Sequence, residues 1–351
     1  MSKVAKKKSN LIWTVLSVLI AVLSIWAVTS QSATFSTDSF IAFLGNASLP
    51  WVLASLAAML CFILFEALSI RTICKTFGHR FSVKRGVAYS SADLYFSAIT
   101  PSATGGQPVC AMFMIKDGIP GAVAAVVLLI NLTMYFIAFT LIGLLSFIFH
   151  FDVFLNNFST ASQILIVIGF IAETALTMFM ILLLVNGKFL NRICFGIFNL
   201  LVKIKVIRKV DKYRPKLEKM MADYRESADM ALSHRSHSML IKAFIYNLLQ
   251  CVSKITVTAF TFLAVSSEFH LVDDIWSLQN FVAIGSNCVP VPGAMGVADY
   301  LLLDGFGSIM NEAMSTNLEI LSRSASFYTY TILCGVLVAV KYLTYKVRRS
   351  K

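Results

Sequence analysis

Long apolar runs alternate with short polar breaks along this chain. Continuous runs cover Leu11 to Val28, Pro50 to Ile73, Ile119 to Phe149, Ala161 to Val185, Lys242 to Val265 and about Ser322 to Tyr345. Crossing the hydrocarbon core takes about 20 apolar residues at about 1.5 Å each, so each run predicts a transmembrane helix. Two further apolar stretches, about 86–116 and 275–310, are interrupted in the middle. Their halves, roughly 12 to 16 residues each, are too short to span alone.

The interruptions are Thr100-Pro101-Ser102-Ala103-Thr104-Gly105-Gly106-Gln107-Pro108 and Val289-Pro290-Val291-Pro292-Gly293-Ala294-Met295-Gly296. Proline removes a helix donor and clashes with the preceding turn, and glycine is the poorest ordinary helix former. A broken helix at membrane depth is tolerated only where its backbone is buried in protein or lines a cavity. A matched pair of such breaks is the best sequence pointer to a transporter's binding site.

Composition and charge sharpen this picture. Hydrophobic residues make up 58% and charged residues 14% of the 351, against about 25% charged in soluble domains. The net charge of +12 comes from Lys and Arg beside the apolar runs, as the positive-inside rule requires, so no nucleic-acid partner is expected. Basic clusters lie at Lys3 to Lys8, at Arg71 to Arg85, in a section with 13 basic residues over 186–242, and in the tail from Lys346 to Lys351. The loops Gln31 to Leu49 and Glu268 to Asp274 carry acids and no Lys or Arg. If either interrupted stretch crossed the membrane once, these basic clusters would fall on opposite sides. Two re-entrant hairpins, the first entering from the cytoplasm and the second from outside, remove the conflict. The expected fold is therefore one all-α polytopic membrane domain over 1–351. It has about six full transmembrane helices plus two opposed re-entrant hairpins, in an inverted-repeat-like arrangement with both termini cytoplasmic. Within 186–242, Leu200, Ile204, Ile207 and Val210 recur at helical spacing among Lys and Arg. That section is expected to lie as basic amphipathic helices on anionic lipid, with one beginning near Pro215.

Chemistry is expected at the breaks. The second half of each hairpin presents a helix N-terminus near Gln107-Pro108 and near Gly296-Val297, where free N–H groups favour anions such as phosphate. Thr100, Ser102, Thr104 and Gln107 add hydroxyl and amide groups. Gly105, Gly106, Gly293 and Gly296, beside Pro292, permit close backbone approach. Ionisable groups inside apolar segments are costly and point to function: Glu66, Asp93, Glu173, Lys254, Asp299, Asp304 and Arg323. Asp93 and Asp299 flank the breaks. Lys254 and Arg323 suit a phosphate or an acid partner, and Glu66 and Glu173 suit ion pairing or proton carriage. The seven cysteines are scattered without metal-ligand or disulfide spacing. His234 and His237 lack clustered partner ligands. Nucleotide-binding, GxSxG and HExxH motifs are absent. No metal, cofactor or catalytic residue is expected.

Ile99-Thr100-Pro101-Ser102-Ala103-Thr104-Gly105-Gly106-Gln107-Pro108, followed by Lys116-Asp117-Gly118-Ile119-Pro120, resembles the integral-membrane domain of the bacterial lysylphosphatidylglycerol synthetase/flippase (multiple peptide resistance factor) family. Val291-Pro292-Gly293-Ala294-Met295-Gly296-Val297 resembles that family's second Pro-Gly-rich signature, in which a second glycine often stands where this chain has Ala294. The resemblance implies a lipid translocase of the bacterial cytoplasmic membrane. Its partner would be an aminoacylated or other anionic phospholipid, such as lysyl-phosphatidylglycerol, with a link to antimicrobial peptide resistance. The family's soluble synthase domain is expected to be absent, since the chain ends soon after its last span. The competing expectations are a component of a phosphatidylglycerol lysyltransferase system with a separate soluble synthase, and a small-solute secondary transporter. Assembly as a homo-oligomer is also an expectation.

Overall fold

A computed structural model describes residues 37–204, 210–233, 236–287 and 289–350, all helix, turn or loop with no strand among them. The run Leu11 to Val28, expected as the first span, lies outside the described residues. The other five expected spans are all present, in helices long and apolar enough to cross a membrane. After a short helix α1 (Thr37–Gly45), the chain forms α2 (Leu49–Thr76). The first hairpin follows as α3 (Val83–Ile99) and α4 (Gly106–Lys116). Next come the span α5 (Gly121–Phe149), a short α6 (Phe151–Asn157) and the span α7 (Thr160–Val185). Helices α8 (Gly187–Lys203) and α9 (Val210–Leu232) precede the span α10 (His237–Val265). The second hairpin is α11 (Val272–Asn287) and α12 (Val297–Gly307), and α13 (Glu312–Arg323) leads into α14 (Thr329–Ser350).

Local sequence explains several helix starts. Pro50 occupies the first turn of α2, where its missing N–H costs nothing. Asn186 and Asn311 accept a backbone N–H at the starts of α8 and α13, at 3.0 and 2.9 Å, an N-cap arrangement that satisfies an otherwise orphaned donor.

Two expectations need correction. Pro215 lies inside α9 rather than at its start. Its neighbours are exposed, so water can satisfy the carbonyl freed by the missing donor. The last span does not start near Ser322. α13 begins at Glu312 and passes through a π-helical turn, Ser324–Tyr328, into α14. Its polar residues hid it from a hydropathy reading.

The bundle has two ends. At the basic end, a core of Ile70, Tyr89, Phe113, Ala124 and Ile130 joins the ends of α2, α3, α4 and α5 to α9 through Met221, Tyr224 and Ala228. Thus α9 packs onto the bundle. α8 instead leaves Ile197, Leu200 and Ile204 exposed near Lys188, Arg192 and Lys203, the amphipathic form expected of a helix on a lipid surface. At the other end Phe154, Phe158, Phe281, Leu301 and Phe306 join α6, α11 and α12.

The hairpins enter from these opposite ends. Arg85 and Asp117, at the two feet of the first hairpin, lie 3.8 Å apart at the basic end. The feet of the second meet α5–α7 at the other end: His150 lies 3.8 Å from Asp273, and Asp304 accepts from the Ser159 N–H at 2.9 Å. Their turns touch in the middle of the bundle. Both turns have the same backbone. Each opens on proline and places two residues in the left-handed region, Ser102 and Ala103 in one, Gly293 and Ala294 in the other. Each is closed by the same hydrogen bond, Ala103 N–H to the Thr100 carbonyl (3.2 Å) and Ala294 N–H to the Val291 carbonyl (3.0 Å). The second half-helix begins the same distance past the proline in each. The inverted-repeat-like relation is therefore legible in backbone geometry where side-chain identity is sparse.

Ala294 at φ 52° carries a Cβ in a conformation that costs L-residues about 1–2 kcal/mol. Glycine relieves that strain but loses more freedom on folding. Ala294→Gly is expected to raise stability by up to about 1 kcal/mol, read as a higher thermal midpoint in detergent. A lowered midpoint would refute the strain argument.

Candidate functional site

The meeting point of the two turns gathers most of the ionisable groups buried at membrane depth. Around the first turn, Asp93 of α3 lies 4% exposed over the first turn of α4. Its carboxyl accepts from Gln107 Nε2 and from Ser97 Oγ at 3.3 Å. Gly106 makes that approach feasible, since a Cβ there would run into the Asp93 carboxyl and the Ser97 hydroxyl. Glu66 of α2, also buried, stands beside Asp93. It accepts from Ser90 Oγ at 2.9 Å and from Gln250 Nε2 at 3.4 Å. The Thr100 hydroxyl is committed within the turn, donating to the Phe96 carbonyl (2.6 Å) and accepting from Gly105 N–H (2.9 Å). Ser102 and Thr104 are exposed at the tip.

Around the second turn, Asp299 of α12 accepts from the Gly296 N–H at 2.8 Å and lies 2.7 Å from Arg323 Nε. The guanidinium N–H is bent too far from the Asp299 line to count as a hydrogen bond, so this contact is a tight ion pair only. Arg323 Nη2 donates to the Gly293 carbonyl at 3.1 Å, and its guanidinium sits 5.1 Å from the centre of the Phe327 ring. Phe327 belongs to the π-helical turn and presses on Gly293. A Cβ at Gly293 would strike that ring, and its φ of 62° also favours glycine.

This geometry corrects the expectation that the half-helix N-termini are open anion seats. The start of α12 is already taken by Asp299, and the Asp93 carboxyl covers the start of α4. A carboxylate at a helix N-terminus satisfies its free donors and its partial positive charge. The basic residues are better placed for an anion. Lys254 of α10 stands 6.0 Å from the centre of the Phe62 ring, in the apolar cluster that also contains Ile99, Met295 and Phe327 beside the two turns. Among the described residues no carboxylate lies within 4.0 Å of its ammonium. Glu173 and Arg323 act on it at longer range. Glu173 of α7 accepts from Asn287 Nδ2, at the end of α11, at 3.3 Å. Lys254 makes no ion pair with Asp93. Asp304 is outside this group. It caps α7, accepting from Ser159 N–H (2.9 Å) and Oγ (3.0 Å) at the end of the bundle.

Sequence reasoning missed three features. The first is a polar row on α10, Asn247, Gln250, Lys254, Thr258 and Thr261. It follows the three- and four-residue spacing of one helix face, and that spacing could have revealed it. The row faces inward: Asn247 donates to Ser69 (2.9 Å), Thr258 to Gln279 (2.7 Å), and Thr261 bonds Ser322 (2.8 Å). The second is Glu319 of α13, fully buried beside Asp299. The third is the role of Asp117, at the foot of the first hairpin, named above only within the motif that carries the family resemblance. Asp117 accepts from Tyr89 (2.8 Å), Lys341 (2.9 Å) and Tyr345 (2.8 Å), tying that hairpin to α14. Burial alone pushes its carboxyl up, but the hydrogen bonds from Lys341, Tyr345 and Tyr89 outweigh it and hold the group below its ordinary value.

A groove of about 680 Å³ lies at the basic end between α9 and the ends of α2 and α5. Lys216, Lys219, Asp223 and Glu226 all line its α9 wall. Its charges balance, so the turns remain the better candidate site. No curated protein matches the chain. The sequence profile of the lysylphosphatidylglycerol synthase TM region matches residues 14–334, which include every helix described from α1 through α13 and both hairpins. The chain is a multi-pass membrane protein that belongs to the lysylphosphatidylglycerol synthase family through this membrane region.

Proposed function

We propose that the chain is a translocase that moves a phospholipid between leaflets, its headgroup passing the junction of the two turns while its acyl chains stay in the bilayer. The observation that carries this reading is Lys254. A charged ammonium inside an apolar span is expensive and needs a counter-charge. Here no carboxylate of the described residues pairs with it closely. A lipid phosphate supplies that charge. The Glu66–Asp93 pair is the opposite pole, two carboxyls with no cation of the described residues within ion-pair distance. Together the poles suit a headgroup bearing both phosphate and ammonium, such as lysyl-phosphatidylglycerol. Ser102 and Thr104 at the exposed tip add hydrogen-bonding groups. By the positive-inside bias, the basic end faces the cytoplasm of a bacterial cell.

Leaflet-resolved transport in proteoliposomes tests this, with fluorescent lysyl-phosphatidylglycerol and phosphatidylglycerol compared. Removing a charge-assisted contact costs about 1.5–3 kcal/mol, so Lys254→Gln is expected to slow transport about ten- to a hundredfold. An unchanged rate in the variant, or no movement of either probe by folded native protein, would reject the reading. The family's synthase description favours a second role, as the membrane partner of a lysyltransferase that acts through a separate soluble domain. Stimulation of such a synthase by the added membrane chain would support it.

A further inference from the structure

Glu319 is the most anomalous side chain in the bundle. It is 0% exposed, and neither carboxyl oxygen has a hydrogen-bond donor among the described residues. Every other acid at the junction has a donor or a cation: Asp93 has Gln107, Glu66 has Ser90, Glu173 has Asn287 and Asp299 has Arg323. A bare buried carboxylate costs far more than a buried hydrogen-bonded group. Glu319 lies within hydrogen-bond reach of Asp299, itself an acceptor with one oxygen left unbonded. One proton resolves both defects. Carried on Glu319, it makes the carboxyl a donor and gives Asp299 the bond it lacks.

We propose that Glu319 is a proton-binding site, and that its proton controls the anchoring of the second hairpin's turn by Arg323. This rests on the translocase reading for its consequence, though not for the proton itself. With Glu319 neutral, Arg323 is divided between Asp299 and the Gly293 carbonyl and ties the turn to α13. When Glu319 releases its proton to water, a second carboxylate forms beside Asp299. Arg323 stays charged and is drawn toward the new anion, so the Gly293 carbonyl loses its donor. The turn, which touches the first hairpin, is then released. The charged and titratable groups around Glu319 are Asp299 from α12 and Arg323 from its own helix. α10 presents Thr261, bonded to Ser322, and its Lys254 acts on Arg323. The π-helical turn directly after Arg323 suits this movement, since such turns accompany functional sites and local shifts in helix register.

The test has two independent readings. Infrared difference spectra of detergent-solubilised native protein and Glu319→Gln are expected to show a protonated-carboxyl C=O band that the variant lacks. Glu319→Asp, which keeps the carboxyl, should retain a shifted band. No difference between native and Glu319→Gln spectra would overturn the proposal whatever transport does. In proteoliposomes, native transport is expected to rise with pH as the anchor is released. Glu319→Gln, a permanent mimic of the neutral acid, should stay at the native low-pH rate throughout. A variant that keeps the native pH profile would overturn the control of the hairpin. A native protein that shows the band and moves no lipid would leave the proton site standing and remove the translocase reading.

Discussion

Replacing Arg323 with methionine is expected to lower stability by about 3–5 kcal/mol, the largest loss of any single substitution at the site. The ion pair with Asp299 is buried, with side-chain exposures of 11% and 4%, so solvent screens it little. Methionine fills much of the same volume but leaves the Asp299 carboxylate without its cation and the Gly293 carbonyl without its donor. A buried charge that has lost its partner is more costly than a pair that was never built. The distinguishing measurement is therefore a double-mutant cycle. Thermal or denaturant unfolding in detergent should show Arg323→Met strongly destabilised and Arg323→Met/Asp299→Leu substantially recovered. A loss below about 1 kcal/mol in the single variant would mean the pair behaves as a solvated surface bridge.

The second large effect is expected at Gly106. Alanine there sets its Cβ against the Asp93 carboxyl, the Ser97 hydroxyl and, at 2.5 Å, the Asp93 backbone carbonyl. The side chains can turn aside; the carbonyl cannot without moving α3. Overpacking of this kind costs typically 1–3 kcal/mol, and the backbone contact places Gly106→Ala near about 3 kcal/mol. Because the displaced groups are Asp93 and its Gln107 partner, transport should fall further than stability does. Adding Ser97→Ala should restore only the share due to the hydroxyl. Full recovery in that double variant would show that the backbone approach is not the limiting contact.

The hairpins were legible because proline and glycine clustered inside an apolar run force the helix to break, and because the charge pattern admits only even numbers of crossings. Run length alone located the five described spans, apart from the start of the last one. The polar row of α10 was open to the same periodicity argument, but each of its residues sits singly among apolar neighbours and leaves hydropathy high. α13 escaped for the opposite reason. Asn311, Glu312, Ser315, Thr316, Asn317 and Glu319 make it polar in sequence, yet Leu318, Glu319, Leu321 and Ser322 are buried in the bundle. Pairing was beyond sequence altogether. Asp299 finds Arg323, Glu66 finds Asp93 and Asp117 finds Lys341 only once helices far apart in the chain are packed together. The anion expectation at the half-helix starts failed for the same reason: the nearest negative charge came from the protein itself.

The contact between the two turns also shapes the electric field across the molecule. A continuous helix insulates the whole hydrocarbon core of about 30 Å. Here the apolar barrier is broken at mid-depth by turns whose Ser102, Thr104, Pro290 and Gly296 are exposed. With water reaching these turns from both faces, a membrane potential would fall mainly across the short junction instead of over the full thickness. A unit charge passing that junction would feel most of the roughly 2.3 kcal/mol that 100 mV supplies. Under the proposed translocase role, voltage polarity would then be a directional force on a headgroup that carries net charge, and a neutral headgroup at the same junction would be indifferent to it.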